Sequence, residues 1–214
     1  MSHVVLIDYG SGNLRSAEKA LVEAARRSGS DARIHTTGDP DAVAAADRIV
    51  LPGVGAFAAC MNAVAARPGL VEAMTEAVRS RGAPFLGVCV GMQLLASRGL
   101  EFGETAGLGW MDGEVRRIEP SSSSFKVPHM GWNMLSEVAA HPLFEGLKEG
   151  AHVYFTHSFA FTPADPADVA AKADHGGRFT AAVARDNVAG VQFHPEKSQA
   201  TGLRLLANFL EWRP

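Results

Sequence analysis

Apolar and polar positions along the chain fall into two textures. Up to about residue 107, short apolar runs rich in β-branched residues each lead through a glycine-bearing turn into apolar positions at helical spacing. Val4 to Ile7 ends at Asp8-Tyr9-Gly10-Ser11-Gly12-Asn13, after which Leu14, Ala17, Leu21 and Ala25 mark one face of a helix. Arg48 to Leu51 leads into Pro52-Gly53-Val54-Gly55 and an alanine-rich helix to about Ala66. Leu70, Met74, Ala77 and Val78 predict another helix, and Pro84 to Val88 a buried strand followed by a helix over Met92 to Ala96. Alternating strands and helices predict a parallel sheet covered on both faces.

Beyond residue 107 the apolar runs are shorter and separated by turn residues: Val115 to Ile118, Trp132 to Val138, Val153 to Phe155, Val169 to Ala173, Phe179 to Ala184 and Val188 to Phe193. These predict antiparallel strands. A last helix, with Leu203, Leu206 and Leu210 on one face, packs back on the sheet. Ser121 to Ser124 is expected to be a mobile loop. The fold class is therefore α/β, with a mixed, mostly parallel sheet flanked by helices.

With 214 residues, 47% of them hydrophobic, one domain spanning 1–214 buries enough surface to need no disulfide or metal. Twenty basic and 23 acidic side chains give a net charge of −3, which argues against nucleic acid or an anionic membrane as partner. No apolar stretch approaches a membrane span, so the expected location is cytoplasmic. Cys60 and Cys89 are too few for a disulfide framework and form no CxxC, which leaves reactive or merely buried thiols.

The chemistry concentrates at three points. Gly87-Val88-Cys89-Val90-Gly91 closes a predicted strand and opens a helix, the form of a nucleophile elbow with cysteine as nucleophile. Its glycines permit a tight turn, and a helix N-terminus at Cys89 favours thiolate. His194, in Phe193-His194-Pro195-Glu196-Lys197-Ser198, follows a predicted strand; on an extended backbone Glu196 points to the same side and orients its ring. The turn Gly53-Val54-Gly55 offers backbone N–H groups to an oxyanion. Taken alone, Cys89 also fits a small buried hydrophobe, and His194 and Glu196 a surface loop. Gly53, Gly55 and Ala58 match a dinucleotide fingerprint, but its ribose acid would be Glu72, inside a predicted helix. His152, His157 and Cys60 lack the spacing of a metal site, so no metal or cofactor is expected.

Together these motifs resemble the class I, triad-type glutamine amidotransferases. The Asp8 to Asn13 block, Lys126-Val127-Pro128-His129-Met130-Gly131-Trp132-Asn133 and Tyr154-Phe155-Thr156-His157-Ser158 narrow the resemblance to members that serve a separate (β/α)8-barrel cyclase subunit. The resemblance implies a flavodoxin-like fold and a triad in which Cys89 attacks the amide of L-glutamine, His194 moves the proton and Glu196 holds the imidazole. It implies a glutamine pocket from Gln93, Thr156, His157, Ser158 and Phe159, with Gly53, Val54 and Gly55 as the oxyanion strand. It further implies that this strand reorients when the partner binds its own ligand, and that Asn13, Trp132 and Lys197 lie at the partner interface. Phe159 replaces the tyrosine common in relatives, so only a backbone role is expected there. Two alternatives remain: a glutaminase of the vitamin B6 synthase or anthranilate synthase type, and a catalytically silent interaction protein of the same fold.

Overall fold

A computed structural model describes residues 2–147 and 150–214. Its elements in chain order begin with β1 (His3–Ile7), α1 (Leu14–Ser28), β2 (Arg33–Thr37), α2 (Pro40–Ala44), β3 (Arg48–Gly53) and α3 (Phe57–Ala65). Next come α4 (Leu70–Thr75), which runs on as a π-helical turn over Glu76–Ser80, then β4 (Phe85–Cys89), α5 (Val90–Gln93), β5 (Arg98–Gly99), β6 (Thr105–Ala106) and β7 (Gly113–Arg117). The chain closes with β8 (His129–Met134), β9 (His152–His157), β10 (Phe159–Pro163), β11 (Val169–Asp174), β12 (Arg178–Arg185), β13 (Val188–Val191) and α6 (Gln199–Glu211).

The central sheet has seven strands in the order β11-β12-β13-β4-β3-β1-β2. From β13 to β2 neighbouring strands are parallel, whereas β11, β12 and β13 pair antiparallel. The mixed, mostly parallel sheet is thus as expected. Val4 to Ile7 and the whole of β3 and β4 are buried, the signature of strands covered on both faces. Helices α1 and α6 pack against each other, and α2 packs on α4. Local chemistry sets the helix ends. The left-handed Gly29, at φ 70°, returns its N–H to Ala25 O to stop α1, and the Asp39 carboxylate accepts the Asp41 N–H with Pro40 at the first position of α2.

A second sheet, β10-β7-β5-β6, and the antiparallel pair β8–β9 lie outside the main one. The register places the functional segments. Gly53 pairs with Cys89 across β3 and β4, and Val191 pairs with Val88 across β13 and β4, so three adjacent parallel strands end together. Ligands of open α/β sheets sit at such carboxyl ends.

Several expectations change. Val188 to Phe193 was expected antiparallel, but β13 ends at Val191 and runs parallel to β4; only its pairing with β12 is antiparallel. The helix expected over Met92 to Ala96 is one turn, Val90–Gln93. β2, α2 and β10 have no counterpart in the apolar pattern. The strand expected at Trp132 to Val138 begins earlier and ends at Met134, as its partner β9 does not reach further. Ser121 to Ser124 is exposed irregular backbone, held by the Ser121 N–H to Gly176 O. Among the described residues, no helix is long and apolar enough to cross a membrane.

Candidate active site

Cys89 closes β4 with φ 56° and ψ −113°, a conformation costly for any residue with a Cβ. The strain sits on the cysteine, not on the glycines around it. Gly87 and Gly91 serve close approach: a Cβ at Gly91 would lie 1.9 Å from Leu51 O, and one at Gly87 would lie 2.5 Å from Gly91 O. With only four residues, α5 is too short for a developed helix dipole, so thiolate support from that source is not what the fold provides. Two polar groups approach the sulfur. Gln192 Nε2 donates to Cys89 Sγ at 3.6 Å, and Thr156 O lies 3.9 Å from the same sulfur.

His194 sits one strand over, just beyond β13. Its N–H donates to Tyr154 O at 2.9 Å and its carbonyl accepts from Ser198 Oγ at 2.7 Å, while Ser198 Oγ also takes the Tyr154 N–H. These bonds fix the backbone from which the ring projects. His194 Nδ1 meets Glu196 Oε1 at 2.8 Å, with both side chains buried. The pairing is as expected but its geometry is not: Pro195–Lys197 is a 3₁₀ turn, which folds Glu196 back under the ring. Burial alone would lower the His194 pKa, yet hydrogen bonds and charge attraction from Cys89 and Glu196 outweigh it and push it up to about 9. At neutral pH the imidazole is held protonated beside the sulfur.

The turn after β3 is anchored from behind. Tyr9 OH donates to Pro52 O at 2.8 Å, and Val54 O accepts from Ser11 Oγ at 2.9 Å and Cys60 Sγ at 3.3 Å. In a trans peptide the carbonyl and the next N–H point oppositely, so the Gly55 N–H is turned away from Ser11 and Cys60. Burial, reinforced by Cys60, raises the Tyr9 pKa and keeps its phenol a donor. Cys60 is therefore a structural thiol.

A cavity of about 270 Å³ gathers these parts. Val54, Gly55, Cys89, Gln93, Thr156, His157, Ser158, Phe159, His194 and Lys197 line it, together with Val90, Glu101 and Pro128. Larger cavities exist, such as one of about 590 Å³ bordered by Glu137 and Phe144, but that one holds neither cysteine. Phe159 contributes its carbonyl, which accepts from Gln93 Nε2 at 3.0 Å and from His157 Nδ1 at 2.9 Å. Asn13 and Trp132 lie outside this cavity, Asn13 exposed before α1 and Trp132 47% exposed on β8. Among the described residues, no group of three or more His, Cys, Asp or Glu could hold a metal ion.

Sequence reasoning missed Gln192, Glu101 and Tyr9. Gln192 precedes the Phe193-His194-Pro195-Glu196 run, which is the one signal that could have drawn attention to it.

Comparison with known proteins shows the family and the fold. Residues 5–212 match the family model described as glutamine amidotransferase class-I. A protein of Caulobacter vibrioides named "Imidazole glycerol phosphate synthase subunit HisH" is 65% identical over 214 residues, covering 100% of both chains. One of the same name from Rhodospirillum rubrum is 56% identical over 212 residues, covering 99% of each. Among solved structures, one titled as a glutamine amidotransferase aligns with TM-score 0.69 at 22% identity, covering 97% of each chain. A glutamine amidotransferase from Thermotoga maritima aligns with TM-score 0.61 at 17% identity, covering 95% of this chain and 80% of that one. At such identities the solved structures speak for the fold alone.

Proposed function

Because this chain belongs to the class-I glutamine amidotransferase family, we propose that it is the glutaminase subunit of imidazole glycerol phosphate synthase, with Cys89, His194 and Glu196 as its triad. The observation that carries the reading is the cavity in which a strained Cys89 meets a His194 tied to Glu196 at 2.8 Å. All 214 residues act as one amidotransferase domain. Two free, buried cysteines suit a reducing cytoplasm.

Cys89 Sγ attacks the side-chain carbonyl carbon of glutamine, forming a C–S bond and an oxyanion. Backbone N–H groups of the Gly53 to Gly55 strand, the Gly55 N–H first among them, receive that charge. Protonated His194 gives its proton to the amide nitrogen, the C–N bond breaks and ammonia leaves. Water then attacks the thioester while His194 takes its proton, the C–S bond breaks, and glutamate leaves the sulfur as thiolate beside a protonated His194 once more. Glu196 holds Nδ1 throughout, which leaves Nε2 for the transfer. Gln93 and the Thr156, His157, Ser158 and Phe159 segment hold the glutamine.

Ammonia passes to the (β/α)8-barrel cyclase subunit, where it joins a phosphoribulosyl formimino substrate to give imidazole glycerol phosphate and AICAR in histidine biosynthesis. An apolar stripe supports a partner on this side. Met130, Trp132 and Met134 alternate along β8 on one exposed face. Trp132 packs edge-on against Tyr154, over whose ring Lys197 Nζ lies at 5.6 Å, so the stripe reaches the residue next to Glu196. Asn13, Trp132 and Lys197 contact the cyclase. Reorientation of the Gly53 to Gly55 strand when the cyclase binds its own ligand links hydrolysis to an occupied cyclase.

Glutamate release from glutamine, measured for the purified chain by itself and then with the cyclase plus its nucleotide substrate, tests the proposal. The expected result is a large rise in the complex that Cys89→Ala abolishes. Equal activity with and without the cyclase would reject the partner, and no activity in either state would favour the silent interaction protein.

A further inference from the structure

Gln192 is fully buried between β13 and His194, where an unpaired amide would be costly. Its Oε1 accepts from Gln93 Nε2 at 2.9 Å, and its Nε2 lies 3.6 Å from Cys89 Sγ. An amide can be placed either way round, and its neighbours decide which way is right. Phe159 O is a backbone carbonyl and only accepts. Gln93 must therefore turn its nitrogen toward Phe159, and the second N–H on that nitrogen meets Gln192, which must answer with oxygen. The Gln192 N–H is left for the sulfur.

The anchor is itself held. His157 Nδ1 donates to Phe159 O, so His157 Nε2 accepts from His129 Nδ1 at 3.0 Å, and His129 Nε2 accepts from Asn133 Nδ2 at 3.3 Å. Every donor in this chain has one orientation open to it.

We propose that Gln192 is a further catalytic residue: its side-chain N–H donates to the Cys89 sulfur and favours the thiolate that attacks glutamine, with Gln93 as the residue that positions it. The proposal rests on Cys89 being the nucleophile. A neutral donor suits this place, since hydrogen bonds to an ionised acceptor are stronger than neutral ones. A cation there would also compete with the proton on His194. The amide helps the sulfur without unsettling the base.

The test is the pH dependence of Cys89 alkylation by iodoacetamide in the full chain, scored on the Cys89 peptide by mass spectrometry so that Cys60 is counted separately. Gln192→Met removes the donor while keeping the length of the side chain, and Gln192→Leu removes it with a branched one. In both, the midpoint should rise by about one pH unit or more, roughly a tenfold loss of thiolate below the midpoint, with circular dichroism matching the parent. In the unsubstituted chain, the Gln192 side-chain amide resonances should shift with pH at the midpoint found for Cys89. An unchanged midpoint in a folded variant, or amide resonances indifferent to that titration, would overturn the role of Gln192 and leave the nucleophile standing. A Cys89 inert in the parent chain at every pH would overturn the nucleophile and this inference with it.

Discussion

Acidification from about pH 7 to about pH 5.5 should destabilise the protein through His157, which lines the active-site cavity, and His129, which is bonded to it. His129 and His157 are 4% and 6% exposed and share a hydrogen bond of 3.0 Å. Burial pushes His129 down to about 3, aided by His157 and His175; burial pushes His157 down to about 4, partly opposed by its bond to Phe159 O. Both titrate near 6.5 in the unfolded chain. Because the folded values are the lower ones, the unfolded chain binds protons that the folded chain refuses. Stability is thus complete above about 6.5 and lost as pH falls toward 4 and 3.

At about 1.4 kcal/mol per pH unit for each group, the two rings together cost about 2 kcal/mol over this interval. His194, raised to about 9, works the other way: its contribution is complete below about 6.5 and is lost as pH rises through 9. It offsets something under about 1 kcal/mol, which leaves a net loss of about 1–2 kcal/mol. With a urea m-value of about 2 kcal/mol/M, the unfolding midpoint should fall by roughly 0.5–1 M. His129→Asn keeps an N–H near the Nδ1 position and has no proton to gain, so it should remove about half of the pH dependence. Equal midpoints at the two pH values, or an unaltered dependence in His129→Asn, would refute the reasoning.

Two further outcomes follow from the elbow and its base. Gly91→Ala places a methyl 1.9 Å from Leu51 O, so β3 and β4 must separate; the melting temperature should fall by roughly 5 °C or more and alkylation of Cys89 should be lost. Glutaminase activity should decline above about pH 9 as His194 loses the proton destined for ammonia, and a pH–rate profile flat through about pH 10 would contradict that role.

The sequence showed the site more fully than it showed the sheet. β4 was legible because Phe85 to Cys89 is an apolar run that opens after Pro84 and closes within the Gly87-Val88-Cys89-Val90-Gly91 motif. β2, Arg-Ile-His-Thr-Thr, was not: it is an edge strand with no fully buried residue, so nothing in its pattern marks a strand. Only Ser158 separates β9 from β10, too little for a turn signal to divide them. The direction of β13 depends on which strand it joins, a non-local choice that no local pattern carries. Glu196 was matched with His194 for the wrong geometric reason, since an extended backbone and a 3₁₀ turn both bring the pair together. Gln192 escaped notice because an amide carries no charge or motif of its own, and its meaning comes from Gln93, 99 positions away.

Attack of Cys89 on glutamine can be followed with an electrophilic glutamine analogue and peptide mass spectrometry. One covalent adduct is expected, on Cys89, formed more slowly when glutamine competes. An adduct on Cys60 alone, or labelling of Cys89 that glutamine does not slow, would contradict it.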